Sequence, residues 1–201
     1  MRKNLYYQFG VGLLLTLVLV FAGTKLFSQT YTYQGSLIDP PVPAPDFSLS
    51  AGDGTLFQLS DHQGQIVLLY FGYTFCPDVC PTTLYDLTQV KGKLGDQAKD
   101  IVVAMITVDP ERDSLEKMGQ YVATFDPAFF GLSGEIDALE AVWADYGVFR
   151  QKNEVEGSTG YLVNHTARVY IIDRDGNLRL TFPFGMAWEA MADDLNHLLG
   201  E

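Results

Sequence analysis

The chain has 201 residues, 47% of them hydrophobic, and a formal net charge of −12. This length allows one well-packed domain with an appendage. Because residues 1–30 contain three basic and no acidic residues, the net charge of −12 becomes −15 for residues 31–201. A body this acidic repels nucleic-acid phosphates and anionic lipid head groups, which argues against a nucleic-acid-binding protein. It suits a cationic partner, or it is a solvated acidic surface without one.

The N-terminal residues 1–27 predict a membrane segment. Arg2 and Lys3 precede an uncharged stretch of 21 residues, 4–24, and about 20 residues span a bilayer. A retained signal anchor and a secretory signal cleaved near Val20–Ala22 both fit. We favour the anchor, because the uncharged stretch is long and the cleavage site is poor. The basic start keeps the N-terminus in the cytoplasm, so the body is expected to face the periplasm or exterior of a bacterial inner membrane.

Residues 28–45 predict a tether between this anchor and the folded part. The segment is polar and then becomes rich in proline over Asp39–Pro45. Prolines favour an extended polyproline conformation of about 3.1 Å per residue, which acts as a semi-rigid spacer. The folded domain is accordingly expected to comprise residues 46–201.

The rest of the chain predicts alternating strands and helices. Continuous apolar runs of strand length are typical of buried central strands. The predicted elements are a hairpin of 47–50 and 56–59, a strand at 66–71, a helix from Pro81 to about Leu94, a strand at 101–108, a helix from Asp113 or Ser114 to about Phe125, a strand at 129–132, a helix at 136–146, a hairpin of 167–172 and 178–182, and a helix at 188–199. This order predicts an α/β domain with a thioredoxin-like fold and an N-terminal hairpin.

The two cysteines of the chain, Cys76 and Cys80, lie between a predicted strand and a predicted helix. Pro81 disfavours helical backbone at Cys80 and is accepted at the first helical position, so we expect Cys80 at or near the N-cap. The positive end of the helix favours thiolates there. Such a pair can bind a soft metal ion or exchange disulfides. Two buried structural cysteines and a static disulfide are the alternatives; the latter closes a loop too short to remove much chain entropy.

One histidine is placed to join the cysteines. His165 precedes the strand predicted at 167–172, and in a thioredoxin-like sheet that loop faces the loop that holds the cysteines. A satisfied surface or core histidine is the alternative. His62 is expected in a surface turn, and His197 at the edge of the last helix's packing face. Two thiolates and one imidazole suit copper, whereas structural zinc prefers four ligands.

A plain dithiol oxidoreductase fits the sequence less well. Thioredoxin-type oxidoreductases carry a cis-proline just before the corresponding strand, and no proline occurs between Pro127 and Pro183. Cys76 and Cys80 are also four residues apart, unlike the Cys-x-x-Cys redox motif. Thiol–disulfide exchange by these two cysteines therefore stays as the alternative function.

Three segments resemble the SCO/SenC family of copper proteins. They are Tyr70–Leu84, which contains both cysteines, Val108–Asp113, and Asn164–Tyr170. The resemblance covers about residues 45–200 and includes the single N-terminal anchor that is usual in the family. It implies a thioredoxin-like fold.

The resemblance also implies a function. It implies that one copper ion is bound through Cys76, Cys80 and His165, and that the chain is a metallochaperone for the dinuclear copper site of cytochrome c oxidase subunit II. Some members of the family act as thiol reductants of that subunit's cysteines. Two interpretations apply to Asp109, Arg112 and Asp113: strand-end and helix-cap chemistry, or, as the family suggests, a docking edge for the partner beside the copper loop.

Overall fold

The computed structural model describes residues 31–154 and 160–201, which form ten strands and four α-helices. The strands are β1 (Ser36–Pro43), β2 (Ser48–Ala51), β3 (Leu56–Gln58), β4 (Ile66–Gly72), β5 (Ile101–Thr107), β6 (Phe130–Ser133), β7 (Arg150–Glu154), β8 (Tyr161–His165), β9 (Arg168–Ile172) and β10 (Asn177–Pro183). The helices are α1 (Val79–Leu94), α2 (Leu115–Ala123), α3 (Ile136–Asp145) and α4 (Trp188–Leu199). Short 3-10 helices lie at Leu59–His62 and Gly95–Asp100.

Eight of these strands form one sheet, in the order β1-β10-β9-β4-β5-β6-β2-β3. Strands β4, β5 and β6 are parallel, because a helix connects each of them to the next. Strand β9 runs antiparallel to β4, and β10 antiparallel to β9. Every residue of β4 and β5 is buried, which explains why both are continuous apolar runs in the sequence. The predicted α/β class is confirmed.

The helices cover this sheet with their apolar faces. Helix α1 buries Leu84, Leu87, Val90 and Leu94 at helical spacing and packs against α4. Full burial of one such leucine contributes about 1.5–3 kcal/mol. Helix α2 packs against β6 and β2. The four helices and the closing hairpin β9–β10 lie where the sequence predicts them.

The prediction of a tether over 28–45 is wrong for residues 36–43. These residues form β1, which pairs antiparallel with β10 at the edge of the sheet. The register shifts between Leu37 and Val42, where Pro40 and Pro41 have no N–H to donate to a neighbouring strand. An edge strand tolerates this interruption, and its side chains are nearly all exposed, so the segment lacks the apolar alternation that predicts a strand.

A buried carboxylate ties the start of β1 to the last helix. The carboxylate of Asp194 on α4 is fully buried and accepts hydrogen bonds from the backbone N–H groups of Gln34 (3.0 Å) and Gly35 (2.7 Å). We expect Asp194→Ala to lower the free energy of unfolding by about 2 kcal/mol, because both donors lose a charged acceptor. Urea denaturation measures this loss. Asp193 lies next to Asp194 on α4 and forms an exposed ion pair with Lys93 of α1, so Asp193→Ala should cost less than about 1 kcal/mol.

Strands β7 and β8 are an addition that the sequence analysis did not predict. They form a separate two-stranded antiparallel sheet, in which Arg150 pairs with His165 and Glu154 with Tyr161. Strand β7 is polar and mostly exposed, so it has no apolar pattern. We call this two-stranded sheet the ribbon.

The predicted membrane anchor, residues 1–27, lies outside the described residues. Within residues 31–154 and 160–201, no helix is both long enough and apolar enough to cross a bilayer. Residues Tyr33–Glu201 form one compact unit by their contacts, and this unit contains the ten strands and four helices described above.

Candidate metal centre

One edge of the sheet brings three chain segments together. The parallel strands β4 and β5 end at this edge, where the N–H of Val108 donates to the carbonyl of Gly72 at 2.8 Å. The loop after β4, residues 73–78, contains Cys76 and is called here the cysteine loop. Because β9 is antiparallel to β4, its first residue lies at the same edge, and β8 ends three residues earlier at His165. The sheet order therefore places an imidazole near the thiols.

The start of α1 differs slightly from the prediction. Asp78 is the N-cap, so Cys80 is the second residue of the helix rather than its cap. Pro81 is accepted one position later because the first turn of a helix has N–H groups without intrahelical acceptors. One of these free donors, the N–H of Cys80, bonds to Sγ of Cys76 at 3.3 Å. The start of α1 thus directs a backbone donor at the sulfur of Cys76, as expected for a thiolate site.

Cys76, Cys80 and His165 form a compact group. Their ligand atoms all lie within 4.8 Å of one another, and Sγ of Cys80 is 3.6 Å from Nε2 of His165. In the described part of the chain this is the one group of three or more such side chains placed to hold a metal ion. Cys80 is buried, while Cys76 and His165 are partly exposed. The predicted approach of His165 to the cysteines is confirmed, and two of the three side chains reach solvent.

The orientation of the imidazole favours a ligand role for Nε2. Nδ1 of His165 lies 3.1 Å from the carbonyl oxygen of Thr166. A carbonyl only accepts hydrogen bonds, so Nδ1 carries the proton and Nε2 keeps its lone pair toward the sulfurs. The ring is flanked edge-on by Tyr70 and Tyr73, with ring centroids 6.2 and 5.8 Å away. These contacts hold the imidazole in one orientation.

The two thiols differ strongly in acidity. A hydrogen bond from the Cys80 thiol, with further ones from the backbone N–H groups of Asp78 and Cys80, lowers the pKa of Cys76 to about 4. Burial, together with the neighbouring Cys76, raises the pKa of the Cys80 thiol. At neutral pH the pair therefore carries one proton, on the buried Cys80, and Cys76 is a thiolate. A metal ion that binds both sulfurs displaces that proton.

This difference predicts the reactivity of the metal-free, reduced protein. We expect iodoacetamide to modify Cys76 before Cys80, at a rate that stays nearly constant from about pH 8 to about pH 5, because the thiolate is the nucleophile. Peptide mass spectrometry over a pH series measures both rates. Cys80→Ala removes the main hydrogen-bond donor and should move the midpoint for Cys76 upward. A rate at Cys76 that rises steadily to pH 8 and above would contradict the assignment.

The segment Val108–Asp113 contributes buried side chains beneath the cysteine loop. Asp109 and Asp113 are fully buried, so the docking-edge interpretation is wrong for these two carboxylates. Asp113 accepts hydrogen bonds from the N–H of Thr74 (3.1 Å), the hydroxyl of Thr74 (2.6 Å) and the hydroxyl of Thr107 (2.8 Å). It therefore anchors the start of the cysteine loop. Sequence reasoning missed Thr74, because nothing local marks a threonine as the partner of an aspartate 39 residues away.

The other two histidines lie away from the possible metal ligands, although His62 is partly buried rather than in a surface turn. His62 ends a 3-10 helix and stacks on Phe57 with ring centroids 4.5 Å apart. His197 on α4 is near Glu201 (3.5 Å) and packs edge-on against Tyr33. Neither belongs to the group of possible metal ligands.

The donor set fits copper by its chemistry. Two soft sulfur donors and one imidazole suit copper(I), and three ligands leave one side of the ion open. A structural zinc site usually takes four protein ligands, and the described residues supply three here. The group formed by Cys76, Cys80 and His165 can hold one copper ion.

Solved structures of two Sco proteins match this architecture. The apo Sco1 protein of Thermus thermophilus is 36% identical, with a TM-score of 0.74, and the match covers 86% of this chain and 99% of that one. A copper-bound ScoI of Bradyrhizobium japonicum is 34% identical, with a TM-score of 0.71 and coverage of 78% and 99%. The α/β fold thus matches the thioredoxin-like fold of Sco proteins, as the sequence predicts.

Relatives found by sequence agree with the structural match. The SCO2-like protein of Rickettsia prowazekii is 32% identical over 83% of this chain and 80% of its own length. The chain spans 64% of the SCO2-like protein of Rickettsia felis and 50% of the bovine mitochondrial SCO2 homolog, at 34% and 38% identity. The SCO1/SenC family model matches residues 38–200. The chain therefore belongs to the SCO1/SenC family.

Proposed function

We propose that this protein is a membrane-anchored copper metallochaperone, with Cys76, Cys80 and His165 as the ligands of one copper ion. The observation that carries the proposal is the convergence of two sulfurs and one imidazole nitrogen within 4.8 Å. Copper-bound structures of family members from Bradyrhizobium japonicum and Arabidopsis thaliana support it. The low pKa of Cys76 supplies a ready thiolate for capture.

The geometry favours transfer rather than permanent storage. Copper meets the Cys76 thiolate first, because this sulfur is ionised and partly exposed. Cys80 then loses its proton and binds, and Nε2 of His165 completes the set. An acceptor cysteine or histidine enters from the open side and replaces these ligands one at a time. The ion then passes between proteins without being released to water.

The acceptor and the location extend this proposal. Family members take part in cytochrome c oxidase assembly, and we assign the dinuclear copper site of subunit II as the destination. Residues 1–27 act as a single-pass anchor in a bacterial inner membrane, and the copper-binding domain faces the periplasm or exterior. Co-purification of copper-loaded chain with subunit II, and transfer of copper to its reduced apo form, test the destination.

Copper titration of the reduced protein tests the ligand set. We expect one copper(I) per chain, measured by competition with a chromophoric chelator and by metal analysis. Removing an outer partner of a metal ligand already costs about 10–100-fold in affinity, so Cys76→Ala should cost at least about 100-fold. A stoichiometry other than one, or unchanged affinity in Cys76→Ala, would refute the proposal.

A thiol–disulfide oxidoreductase is the second candidate function. The specific observation in its favour is the pairing of an acidic, accessible thiol at Cys76 with a protonated, buried one at Cys80. In such a reaction the Cys76 thiolate attacks a partner disulfide, and Cys80 then displaces the reduced partner and leaves a Cys76–Cys80 disulfide. A thiol-exchange assay with a disulfide substrate, run beside the copper titration, separates the two functions.

A further inference from the structure

The main sheet brings His165 close to the thiols through β9, but side-chain contacts must fix the position of β8, which His165 ends. His165 ends β8, and β8 pairs only with β7 in the separate ribbon. No ladder of backbone hydrogen bonds joins the described ribbon to the eight-stranded sheet. One direct link is the hydroxyl of Tyr73, which accepts from the N–H of Val163 at 3.2 Å. Other side chains must therefore hold β8 against the cysteine loop.

The guanidinium of Arg112 lies between these two segments. Its Nε forms an ion pair with the buried carboxylate of Asp109. Its Nη1 donates to the carbonyl of Tyr161, the first residue of β8, at 2.9 Å, and its Cζ lies 3.7 Å from the centre of the Tyr161 ring. The same group lies 4.8 Å from the ring of Phe75 and 5.8 Å from that of Tyr73, both in the cysteine loop.

Asp109 contacts both Arg112 and Tyr161. Its Oδ1 accepts from the hydroxyl of Tyr161 at 2.7 Å, while its Oδ2 binds Arg112. One buried carboxylate thus holds both the cation and the first residue of β8. The three side chains join the loop after β5 to the ribbon, and the flat face of the guanidinium carries the contact on to the cysteine loop.

We propose that Arg112 is a positioning residue that holds β8 against the cysteine loop, so that His165 lies within reach of both sulfurs before copper arrives. The inference rests on the proposed function, since it takes His165 as a copper ligand. Arg112 itself touches none of the three ligand side chains in the contacts described. It acts through Tyr161 on one side and through Phe75 and Tyr73 on the other.

The role requires the shape of arginine and not only its charge. A guanidinium is planar, stacks on aromatic rings and donates in fixed directions, so it can bind Asp109, the Tyr161 carbonyl and the aromatic faces together. A lysine ammonium keeps the charge but lacks the plane and the fork. Arg112→Lys therefore separates positioning from a through-space effect of positive charge on the thiolates.

Lys152 provides a matched control. Its Nζ also lies over the ring of Tyr161, at 4.9 Å. It forms an ion pair with Glu111, which lies beside Arg112 in the loop after β5. Among the described contacts it has none with the cysteine loop. Lys152→Met therefore removes a cation from the same aromatic ring without cutting the link that we propose.

A double-mutant cycle with His165 tests the proposal. We expect Arg112→Met to weaken copper(I) binding by about 10-fold or more, Arg112→Lys to lose most of the same affinity, and Lys152→Met to match the parent. In the His165→Ala background, Arg112→Met should cost no more than about 2-fold, because there is no imidazole left to position. An equal loss in both backgrounds, parent affinity in Arg112→Met, or parent affinity in Arg112→Lys would overturn the inference.

A second measurement needs no copper. In the metal-free, reduced protein, nuclear Overhauser contacts between the rings of His165 and Tyr73 report their edge-on packing. They should persist in Lys152→Met and disappear in Arg112→Met; their persistence in Arg112→Met contradicts the positioning role. If His165→Ala binds copper as tightly as the parent, the proposed ligand set fails. If His165→Ala loses copper and Arg112→Met does not, the positioning role alone fails.

Discussion

His165→Ala is expected to weaken copper(I) binding by at least about 100-fold while thiol exchange continues. The physical reason is that Nε2 of His165 lies 3.6 Å from Sγ of Cys80 and keeps its lone pair toward the sulfurs. Without it, two sulfurs remain and the ion loses its third ligand. Since loss of an outer partner alone costs about 10–100-fold, loss of a direct ligand should exceed that range. Chelator competition measures the affinity, and a disulfide substrate measures the exchange.

His62→Ala is the matched control for this experiment. It removes an equally large ring that stacks on Phe57, away from the group of possible ligands, so copper affinity should stay at the parent value. The two proposed functions give opposite results in His165→Ala. Lost copper binding with retained exchange supports the metallochaperone, because exchange needs only Cys76 and Cys80. Unchanged copper binding would exclude His165 as a ligand and favour the oxidoreductase.

The regular part of this fold could be predicted because its sequence signals are local. Strands β4 and β5 are uninterrupted apolar runs, and α1 shows leucines at helical spacing. Strand β1 and the ribbon carry no such signal. The side chains of β1 and β7 are mostly exposed and are polar or proline-rich. Strand β8 is short and pairs with β7, and β1 pairs with a strand far along the chain. Only the tertiary structure makes these segments strands.

The three candidate ligands could be predicted for a similar reason, but the residues that hold them in place could not. Two cysteines one helical turn apart before a proline, with a histidine ahead of a later strand, form a pattern that can be found in sequence. The contacts of Arg112 with Tyr161 and Phe75 join side chains from three segments. No spacing rule relates them. The sharing of one proton between Cys76 and Cys80 likewise depends on burial and distance, which the sequence does not contain.

Asp113→Ala is expected to be the most destabilising of the substitutions considered, at about 3 kcal/mol in the free energy of unfolding. The fully buried carboxylate accepts three hydrogen bonds, two from Thr74 and one from Thr107. Alanine leaves the buried hydroxyl of Thr107 and the partly buried N–H of Thr74 without their acceptor, and such a loss costs about 1–3 kcal/mol for each buried group. Urea denaturation of the reduced, metal-free protein measures it.

Asp53→Ala is the matched control, because Asp53 also accepts from the N–H and the hydroxyl of a threonine, Thr55, at 2.9 and 2.7 Å, but on the surface. Water replaces the lost carboxylate there, so the cost should stay within about 0.5 kcal/mol. Comparable losses in Asp53→Ala and Asp113→Ala would show that burial does not set the cost. The difference between them isolates the contribution of desolvation at the base of the cysteine loop.

The pH dependence of the stability difference between the parent and Asp113→Asn provides an independent test. Burial raises the pKa of Asp113 above that of an exposed aspartate. A carboxyl whose pKa is raised on folding contributes its full stability below the unfolded pKa, near about 3.9, and loses it as the pH rises through the folded pKa. Asparagine does not titrate, so the stability of the parent relative to Asp113→Asn should fall from acid toward neutral pH. If the stability of the parent relative to Asp113→Asn instead grows with pH, the fold prefers the carboxylate to the neutral acid at this position. The hydrogen bonds from Thr74 and Thr107 would then outweigh the desolvation of the carboxylate.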